Sequence, residues 1–516
     1  MLNRRNFLKG AAMAGGLMVL PSWSIAKVPG PNSKLRLALV GCGGQGGAAI
    51  ARLKDCPLVE FVAFCDVDDE RAAKTYKQYP SVPRFRDYRV MLDKMDKQID
   101  AVTIATPDHM HYPIASWAIA KGKHVFCEKP LTRTIWEANE LKNLAAKAGV
   151  ITQMGNQGHT NEGWRLIREW YDAGIIGEIE DIYIWTNRPI WPQGDLQMPQ
   201  GQPVPSTLDY KVWLGVAPYQ PYSKNFVPFN WRGLRNYGTG AAGDMACHFL
   251  DVPYSAFDLG YPMSIVANST PFNDYSWPSQ ASSVMTFVNK RGVGDRIRLH
   301  WYDGGRRPKE IKRVDPEFLK PDPKNPWNRA NCTFIVGTKE TVYTNEYGGE
   351  TYIYPRPRMK ELAKSGALPK KTIARSTAPG NPHLEWVKAC LDGKQPMGNF
   401  NYAAPFTEMA LLGMVAILFP EKELTYKPST MSFINCPEAD RYVQQGVPPV
   451  ENKALIRGVR QSRSRAYARL AGEAPESVRK LPKLLGEAQC FALFLSGFFC
   501  DNKLVFHEIA HCRFLV

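Results

Sequence analysis

Short apolar runs and helical patterns alternate through the first third of the chain. Four runs of strand length lie at 35–40 (LRLALV), 58–65 (LVEFVAFC), 100–105 (DAVTIA) and 124–127 (HVFC). A helical pattern follows the first run, and a capping box of Thr134 with Glu137 predicts a helix after the last. This alternation predicts a right-handed parallel sheet with ligands at the carboxyl ends of its strands.

The second part of the chain has a different pattern. A strand is predicted at 151–154 and a helix from about 161 to 173, and the runs SSVMTFVN (282–289) and RIRLHWY (296–302) alternate as further strands. A chain of 516 residues that is 44% hydrophobic has enough material for two ordinary domains with real cores. We therefore expect two globular domains.

A glycine motif follows the first strand directly. Gly41, Gly43 and Gly46 have the spacing G-x-G-x-x-G, with Gly44 and Gln45 between them, and a helical pattern comes next. The glycines permit a tight turn, close approach of a pyrophosphate and close packing of helix on strand. Asp66 ends the second strand, twenty residues later, where a carboxylate accepts from ribose hydroxyls. The motif predicts NAD binding and disfavours NADP.

The amino end has the features of an export signal. Arg4 and Arg5 precede a Gly/Ala-rich apolar run, and small residues at 24–26 offer a cleavage site. Residues 1–26 resemble a twin-arginine signal, which implies the twin-arginine export machinery as a partner and a periplasmic or otherwise exported location. Such signals are associated with proteins that fold before they cross, so a cofactor can be loaded in the cytoplasm.

The net charge of +16 is concentrated at the two ends of the chain. Residues 1–26 hold three basic and no acidic residues, and 452–516 hold eleven basic and five acidic ones, which leaves +7 on the body. No basic stripe interleaved with aromatic residues is present, so nucleic-acid binding is disfavoured. The eleven cysteines form no C-x-x-C pair, which argues against a disulfide framework or a cysteine zinc site.

Four motifs together resemble one enzyme family. They are the glycine loop, the segment TPDHMH at 106–111, the tripeptide EKP at 128–130, and D-x-x-x-H at Asp244 and His248. The chain resembles the Gfo/Idh/MocA oxidoreductases from about residue 35 to about residue 442. The resemblance implies an α/β fold class, with a Rossmann dinucleotide-binding domain at 33–155 and an α/β domain with a large open, mostly antiparallel sheet at 156–445. Asp108 stands where the family pattern has Asn.

The resemblance also implies roles for individual residues. His248 takes the proton of a secondary alcohol, Asp244 holds a neighbouring hydroxyl or orients the imidazole, and Lys129 donates to the reacting oxygen. No metal is required. Asp251, one turn beyond His248, is expected to support the helix or the ring. The cofactor is expected to contact, besides the glycine loop and Asp66, a set of strand-end residues: Thr106, Asp108, His111, Glu128 and Asn156.

Aromatic residues cluster before the D-x-x-x-H motif. Trp231 and Tyr237 can stack on a sugar ring, and Arg232 can bind hydroxyls or a carboxylate; packing at a domain interface is an equally open interpretation. The Pro-rich loop at 188–205 is either a substrate rim or an oligomer arm. We expect a sugar or polyol substrate and a homo-oligomer.

Export makes a freely exchanging NAD enzyme implausible, because free NAD is not expected outside the cytoplasm. Tightly held cofactor that is reduced by one substrate and reoxidised by another solves this problem, as in glucose-fructose oxidoreductase. Alternatively, oxidation, elimination and re-reduction cleave a glycosidic bond without net redox change, as in NAD-dependent glycosidases. The first mechanism is our main prediction and the second is the alternative. An idle sugar-binding protein with structural NAD is a third possibility.

The carboxyl end contains a motif that is typical of a different class of enzyme. HEIAH at 507–511 matches the H-E-x-x-H signature of zinc peptidases. Catalytic zinc needs three protein ligands, and only five residues follow, so this hypothesis is disfavoured. The family resemblance fades before residues 446–516, which we expect to be an atypical, poorly ordered tail.

Overall fold

The computed structural model describes residues 34–291, 296–316, 318 and 329–444. The predicted signal at 1–26, the tail at 446–516 and the HEIAH motif at 507–511 lie outside the described residues.

The first domain is a Rossmann fold. Its six-stranded sheet has the order β3-β2-β1-β4-β5-β6, and all neighbouring strands are parallel. The strands are β1 (Leu35–Val40), β2 (Val59–Cys65), β3 (Arg84–Phe85), β4 (Ala101–Ile104), β5 (His124–Glu128) and β6 (Thr152–Gly155). The helices are α1 (Gly44–Leu53), α2 (Asp69–Gln78), α3 (Tyr88–Lys94), α4 (His111–Ala120) and α5 (Ile135–Ala148).

The second domain is built on a seven-stranded sheet with the order β13-β12-β11-β7-β10-β9-β8. Its strands are β7 (Ile179–Trp185), β8 (Ser264–Ser269), β9 (Ala281–Val288), β10 (Arg296–Tyr302), β11 (Cys332–Gly337), β12 (Thr341–Thr344) and β13 (Thr351–Tyr354). Only β7 and β10 pair in parallel; the other neighbours are antiparallel. The two sheets confirm the predicted fold class.

Seven helices and a small hairpin complete the described chain. The helices are α6 (Gly163–Asp172), α7 (Tyr210–Leu214), α8 (Gly240–Phe249), α9 (Asp251–Phe257), α10 (Arg356–Lys364), α11 (Pro382–Asp392) and α12 (Phe400–Ile417). The hairpin strands are β14 (Tyr426–Lys427) and β15 (Ser432–Phe433). Short 3-10 turns lie at Asp108–Met110, Gln157–Thr160, Asn230–Gly233, Lys309–Arg313 and Pro437–Tyr442.

Two late helices join the domains. α12 packs against α5 of the first domain and against α8 and β8 of the second. It is long and apolar enough to cross a membrane, but 83% of its apolar stretch is buried, as in a core helix. α11 returns to the first sheet, where the Trp386 indole is fully buried among Leu37, Leu39 and Phe126. A second core, around α12, contains strand residues of the first domain, such as Cys127 and Met154, together with Met245 and Cys247 of α8.

Candidate active site

The glycine loop connects β1 to α1 at the carboxyl edge of the first sheet. Gly41 has a positive φ of 84°, and a Cβ there would collide with the carbonyl oxygen of Ala105. A Cβ at Gly46 would collide with the carbonyl oxygen of Gly41, and one at Gly43 would lie 2.5 Å from Cγ of Arg71. The motif glycines are therefore required by close backbone approach. α1 has no side-chain cap, so backbone N–H groups of its first turn are available to an anion.

Asp66 lies beside this loop at the end of β2. Its Oδ2 accepts from the backbone N–H of Cys42 at 2.7 Å and of Gly43 at 3.3 Å, and its Oδ1 accepts from the N–H of Asp68 at 3.0 Å. Burial raises the pKa of the Asp66 carboxyl, although these three bonds oppose the change. The side chain therefore shapes the glycine loop as well as lining the cavity in front of it.

The EKP tripeptide places two groups at the end of β5. Glu128 accepts a hydrogen bond from Nε2 of Gln45 at 3.1 Å, and burial raises its pKa to about 7. The peptide bond between Lys129 and Pro130 is cis. The Lys129 side chain crosses to the second domain, where Nζ donates to Oδ1 and to the backbone oxygen of Asp244, each at 2.9 Å. This ion pair connects the nucleotide domain to α8.

Asp244 and His248 lie one turn apart on α8, as the i, i+4 spacing predicts. Burial alone would raise the pKa of Asp244, but the charges of Lys129 and Arg232 lower it, so the carboxylate is ionised. Burial would lower the pKa of Lys129, but Asp244 raises it, so the ammonium is retained. Burial lowers the pKa of His248 to about 3, and the imidazole is neutral. Its Nδ1 is buried with no hydrogen-bond partner among the described residues.

Asp251 has a supporting role, but not for the ring of His248. α8 ends at Phe249, and Asp251 begins α9. Its Oδ1 accepts from Nδ1 of His159 at 3.0 Å and from the hydroxyl of Tyr402 at 2.6 Å. Asp251 therefore supports the ring of His159 instead of the ring of His248.

Asp108 joins the two domains at the start of α8. Its Oδ2 accepts from the backbone N–H of Thr239 at 3.1 Å and from the Thr239 hydroxyl at 2.9 Å. Thr239 is the residue that precedes the first turn of α8. Burial and the nearby charge of Asp244 raise the pKa of Asp108 to about 7. The carboxyl group is therefore a titratable contact at the start of the helix that carries Asp244 and His248.

A cavity of about 370 Å³ brings most of the predicted residues together. Its nucleotide end is lined by Gly41, Gly43, Gln45, Asp66, Thr106, Asp108 and Glu128. Its other end is lined by Lys129, Asp244, His248, Trp231 and Arg232.

Five predicted residues do not line the cavity: Gly44, Gly46, His111, Asn156 and Tyr237. The ring nitrogens of His111 face the backbone oxygens of Pro130 and Thr106 at 2.8 and 2.9 Å, so the ring braces the strand ends. Asn156 donates to the backbone oxygen of Cys247 on α8 at 2.7 Å. Tyr237 is fully buried, so its ring is not available to stack on a sugar.

Sequence reasoning missed several cavity residues. The Tyr347 ring lies edge-on to His248 with centroids 5.0 Å apart, and it comes from the turn between β12 and β13. Arg188, Ile190 and Trp191 place the start of the Pro-rich loop at the cavity wall, which favours the substrate-rim interpretation of that loop. None of these residues belongs to a local motif, so only the fold brings them to His248.

Fold and site together define a two-domain protein with a Rossmann nucleotide site facing a Lys–Asp–His cluster. Residues 35–156 match the NAD-binding Rossmann fold of the Gfo/Idh/MocA oxidoreductase family, and residues 181–271 match the family's C-terminal α/β domain. Both the NAD-binding domain and the C-terminal domain of this family therefore have a match in the chain, and NAD is the cofactor that the first domain binds. Residues 1–21 match a twin-arginine translocation signal.

Characterised relatives act on sugars and cyclitols. Levoglucosan dehydrogenase of Pseudarthrobacter phenanthrenivorans is 25% identical over 228 residues, which cover 42% of this chain and 50% of the relative. Inositol 2-dehydrogenase of Salmonella paratyphi B is 29% identical over 147 residues, which cover 28% of this chain and 43% of the relative. The chain thus matches about half the length of its curated relatives.

A solved structure shows the same fold over most of the chain. A levoglucosan dehydrogenase in complex with NADH and levoglucosan aligns with a TM-score of 0.50 and 18% identity, over 76% of this chain and 99% of that one. At this identity the likeness concerns the fold.

Proposed function

We propose that this protein is an NAD-dependent oxidoreductase that transfers a hydride between the nicotinamide and a secondary alcohol of a sugar, cyclitol or glycoside. The observation that carries the proposal is one cavity lined both by the glycine loop and by Lys129, Asp244 and His248. The relatives that act on levoglucosan and inositol support the substrate class.

Each side chain of the cluster is in the state that this role needs. His248 is neutral, as the acceptor of the alcohol proton must be, although burial makes its imidazole a weak base. Lys129 is charged, so it can donate to the reacting oxygen and stabilise negative charge there. Asp244 fixes the ammonium at 2.9 Å and lies one turn before His248, within reach of a neighbouring hydroxyl.

The nucleotide end of the cavity fits NAD. The glycine loop and the first turn of α1 would receive the pyrophosphate, and Asp66 would accept from a ribose hydroxyl while it holds the loop. Gln45 and Glu128, which are hydrogen-bonded at 3.1 Å, would line the nicotinamide side together with Thr106. When bound, NAD supplies the hydride acceptor and donor.

We further propose that the enzyme is exported with its cofactor already bound and recycles it. The match of residues 1–21 to a twin-arginine signal supports this proposal, because this pathway is associated with proteins that fold in the cytoplasm. A second substrate would then reoxidise the cofactor in place. The expected homo-oligomer remains a prediction, to be tested by light scattering of the purified protein.

The test uses protein purified from its export compartment. Denaturation should release NAD in roughly stoichiometric amount, and mixing intact protein with a panel of sugars and glycosides should raise the near-ultraviolet absorbance of reduced nicotinamide. His248→Ala should retain bound NAD and lose this reduction. Protein that contains no nucleotide, and that stays inactive toward every sugar until NAD is added, would contradict the recycling proposal. Undiminished reduction by the variant would overturn the role of His248.

The same experiment separates the alternatives. Transient reduction with net cleavage of a glycoside would favour the redox-neutral glycosidase, whereas bound NAD that no polyol reduces would favour an idle sugar-binding protein. The family matches give no support to the metallopeptidase alternative, since they end at residue 271 and the motif lies at 507–511.

A further inference from the structure

Arg232 is held in the cavity wall with one side of its guanidinium group unused. Its Cζ lies 4.3 Å from the ring centroid of Trp231 and 4.5 Å from that of Phe229, and Nη1 donates to the backbone oxygen of Phe229 at 3.1 Å. Nη2 makes no hydrogen bond within the described part of the chain. The side chain is 25% exposed, and the residue lines the cavity. The group is thus positioned by its surroundings, yet it retains donors for a ligand.

Arg232 has no carboxylate of its own among the described residues. Asp244 is shared by two cations, with its Oδ1 2.9 Å from Nζ of Lys129 and 3.5 Å from Nε of Arg232. Burial raises the pKa of both Asp108 and Glu128 to about 7, so each carries about half a charge at neutral pH.

Arg188 and Glu346 also line the cavity, so the charged groups of its wall come close to cancelling overall. The imbalance is local, because Arg232 has only the shared carboxylate of Asp244 at 3.5 Å and no closer carboxylate among the described residues. An enclosed charge is costly unless an opposite charge pairs with it.

We propose that the cavity takes a sugar that carries a carboxylate, such as a uronic acid, and that Arg232 is the residue that selects it. This inference rests on the proposed function. A planar guanidinium matches a carboxylate with two parallel hydrogen bonds, and Arg232 has Nη2 available for this contact. A neutral sugar would leave the Arg232 guanidinium with only its share of the Asp244 carboxylate.

The contrasting expectation is that Arg232 donates to neutral hydroxyl groups. Sugars that differ only in oxidation at one carbon separate the two expectations, because the rest of the ring is identical. Suitable pairs are D-glucuronate with D-glucose, D-galacturonate with D-galactose, and D-mannuronate with D-mannose. Binding to the NAD-loaded protein is measured by calorimetry, and reduction of the bound cofactor is measured by absorbance.

In at least one pair the acid should bind roughly tenfold or more tightly than its neutral partner. Arg232→Gln should weaken binding of that acid roughly 10- to 100-fold more than it weakens binding of the neutral sugar. Arg232→Lys keeps the positive charge but lacks the planar guanidinium group, so it should lose part of the preference for the acid. Arg84→Gln is the matched control, because Arg84 also lies over an aromatic ring, that of Tyr76 at 4.7 Å, outside the cavity. Arg84→Gln should change the affinity neither for the acid nor for the neutral sugar.

Several outcomes would overturn the inference. The first is that the neutral sugar binds as tightly as the acid, or more tightly, in every pair. The second is that no acid binds. The third is that Arg232→Gln protein that retains its NAD loses affinity for the acid and for the neutral sugar equally. Reduction of the cofactor by neutral sugars alone would refute the proposal of a carboxylate-bearing substrate and would leave the proposed function unaffected. Binding of an acid that depends on Arg232, without reduction by any sugar, would support the carboxylate and refute hydride transfer.

Discussion

Replacing Asp108 by Asn should make the stability of the protein less dependent on pH. The native carboxyl is buried and accepts two hydrogen bonds from Thr239, and its pKa is about 7, against an ordinary value of 3.8. An acid whose pKa is raised by folding stabilises the folded state below its unfolded pKa, and this contribution is lost as pH rises through the folded pKa. Between those limits the unfolded chain releases its proton and the folded chain retains it.

The gap between the two pKa values corresponds to about 4 kcal/mol in full, and to roughly 2.5 kcal/mol between about pH 5 and about pH 8. Asn can accept both bonds from Thr239 at Oδ1, but a neutral acceptor weakens them by about 1 kcal/mol. At high pH, removal of the ionisable carboxyl stabilises the variant by more than the weaker hydrogen bonds destabilise it. The stability of Asp108→Asn relative to the native protein should therefore rise by roughly 2.5 kcal/mol between about pH 5 and about pH 8, and the variant should be the more stable protein at about pH 8.

Urea unfolding followed by tryptophan fluorescence at several pH values measures this difference. Asp87→Asn is a control without this pH dependence, since Asp87 also caps a helix, through the N–H of Arg89 at 2.9 Å. Partial burial would raise its pKa, but the bonds from Arg89 bring it below the ordinary value of 3.8, so Asp87 is ionised in both states above about pH 5 and the deficit of this variant should stay constant up to about pH 8. A difference for Asp108→Asn that stays constant from acid to alkaline pH would refute the reasoning.

Three further predictions concern the cofactor, the chemistry and the core. Lys129→Met should lower kcat/KM for sugar oxidation roughly 100-fold or more while NAD stays bound, because the reacting oxygen loses its charged donor; unchanged kinetics would remove Lys129 from the reaction. Asp66→Ser should weaken NAD binding roughly tenfold or more and reduce the preference over NADP, as measured by fluorescence titration of protein stripped of nucleotide; an unaltered preference would contradict the ribose contact. Trp386→Ala should destabilise the protein by about 3–5 kcal/mol in urea unfolding, since the indole is fully buried; a change below about 1 kcal/mol would show that α11 is not part of the first core.

Local patterns predicted the first domain closely. The run LRLALV coincides with β1 residue for residue, and the capping box of Thr134 and Glu137 is present in both directions at the start of α5. The glycine spacing is explained by contacts within the loop and with the neighbouring strand. These features are decided by residues close in sequence, so they are visible before the fold is known.

Family resemblance placed Lys129, Asp244 and His248 correctly in one cavity but did not predict their states. The neutral imidazole and the charged ammonium follow from burial and from the 2.9 Å contact between Lys129 and Asp244, which are 115 residues apart. Asp251 shows the opposite case. The sequence predicts that it supports the helix or the ring of His248, whereas its carboxylate accepts from His159, which lies 92 residues earlier in the chain.

The sequence alone determined the nucleotide loop, the order of the first strands, the helical spacing of Asp244 and His248, and the resemblance to an export signal. These properties depend on side-chain periodicity and on backbone constraints within a few residues. Only the tertiary structure decided that α11 completes the first core, that Tyr347 faces His248, and that Arg232 shares Asp244 with Lys129. Contacts between distant segments, and the burial and charge balance that result from them, have no local signature in the chain.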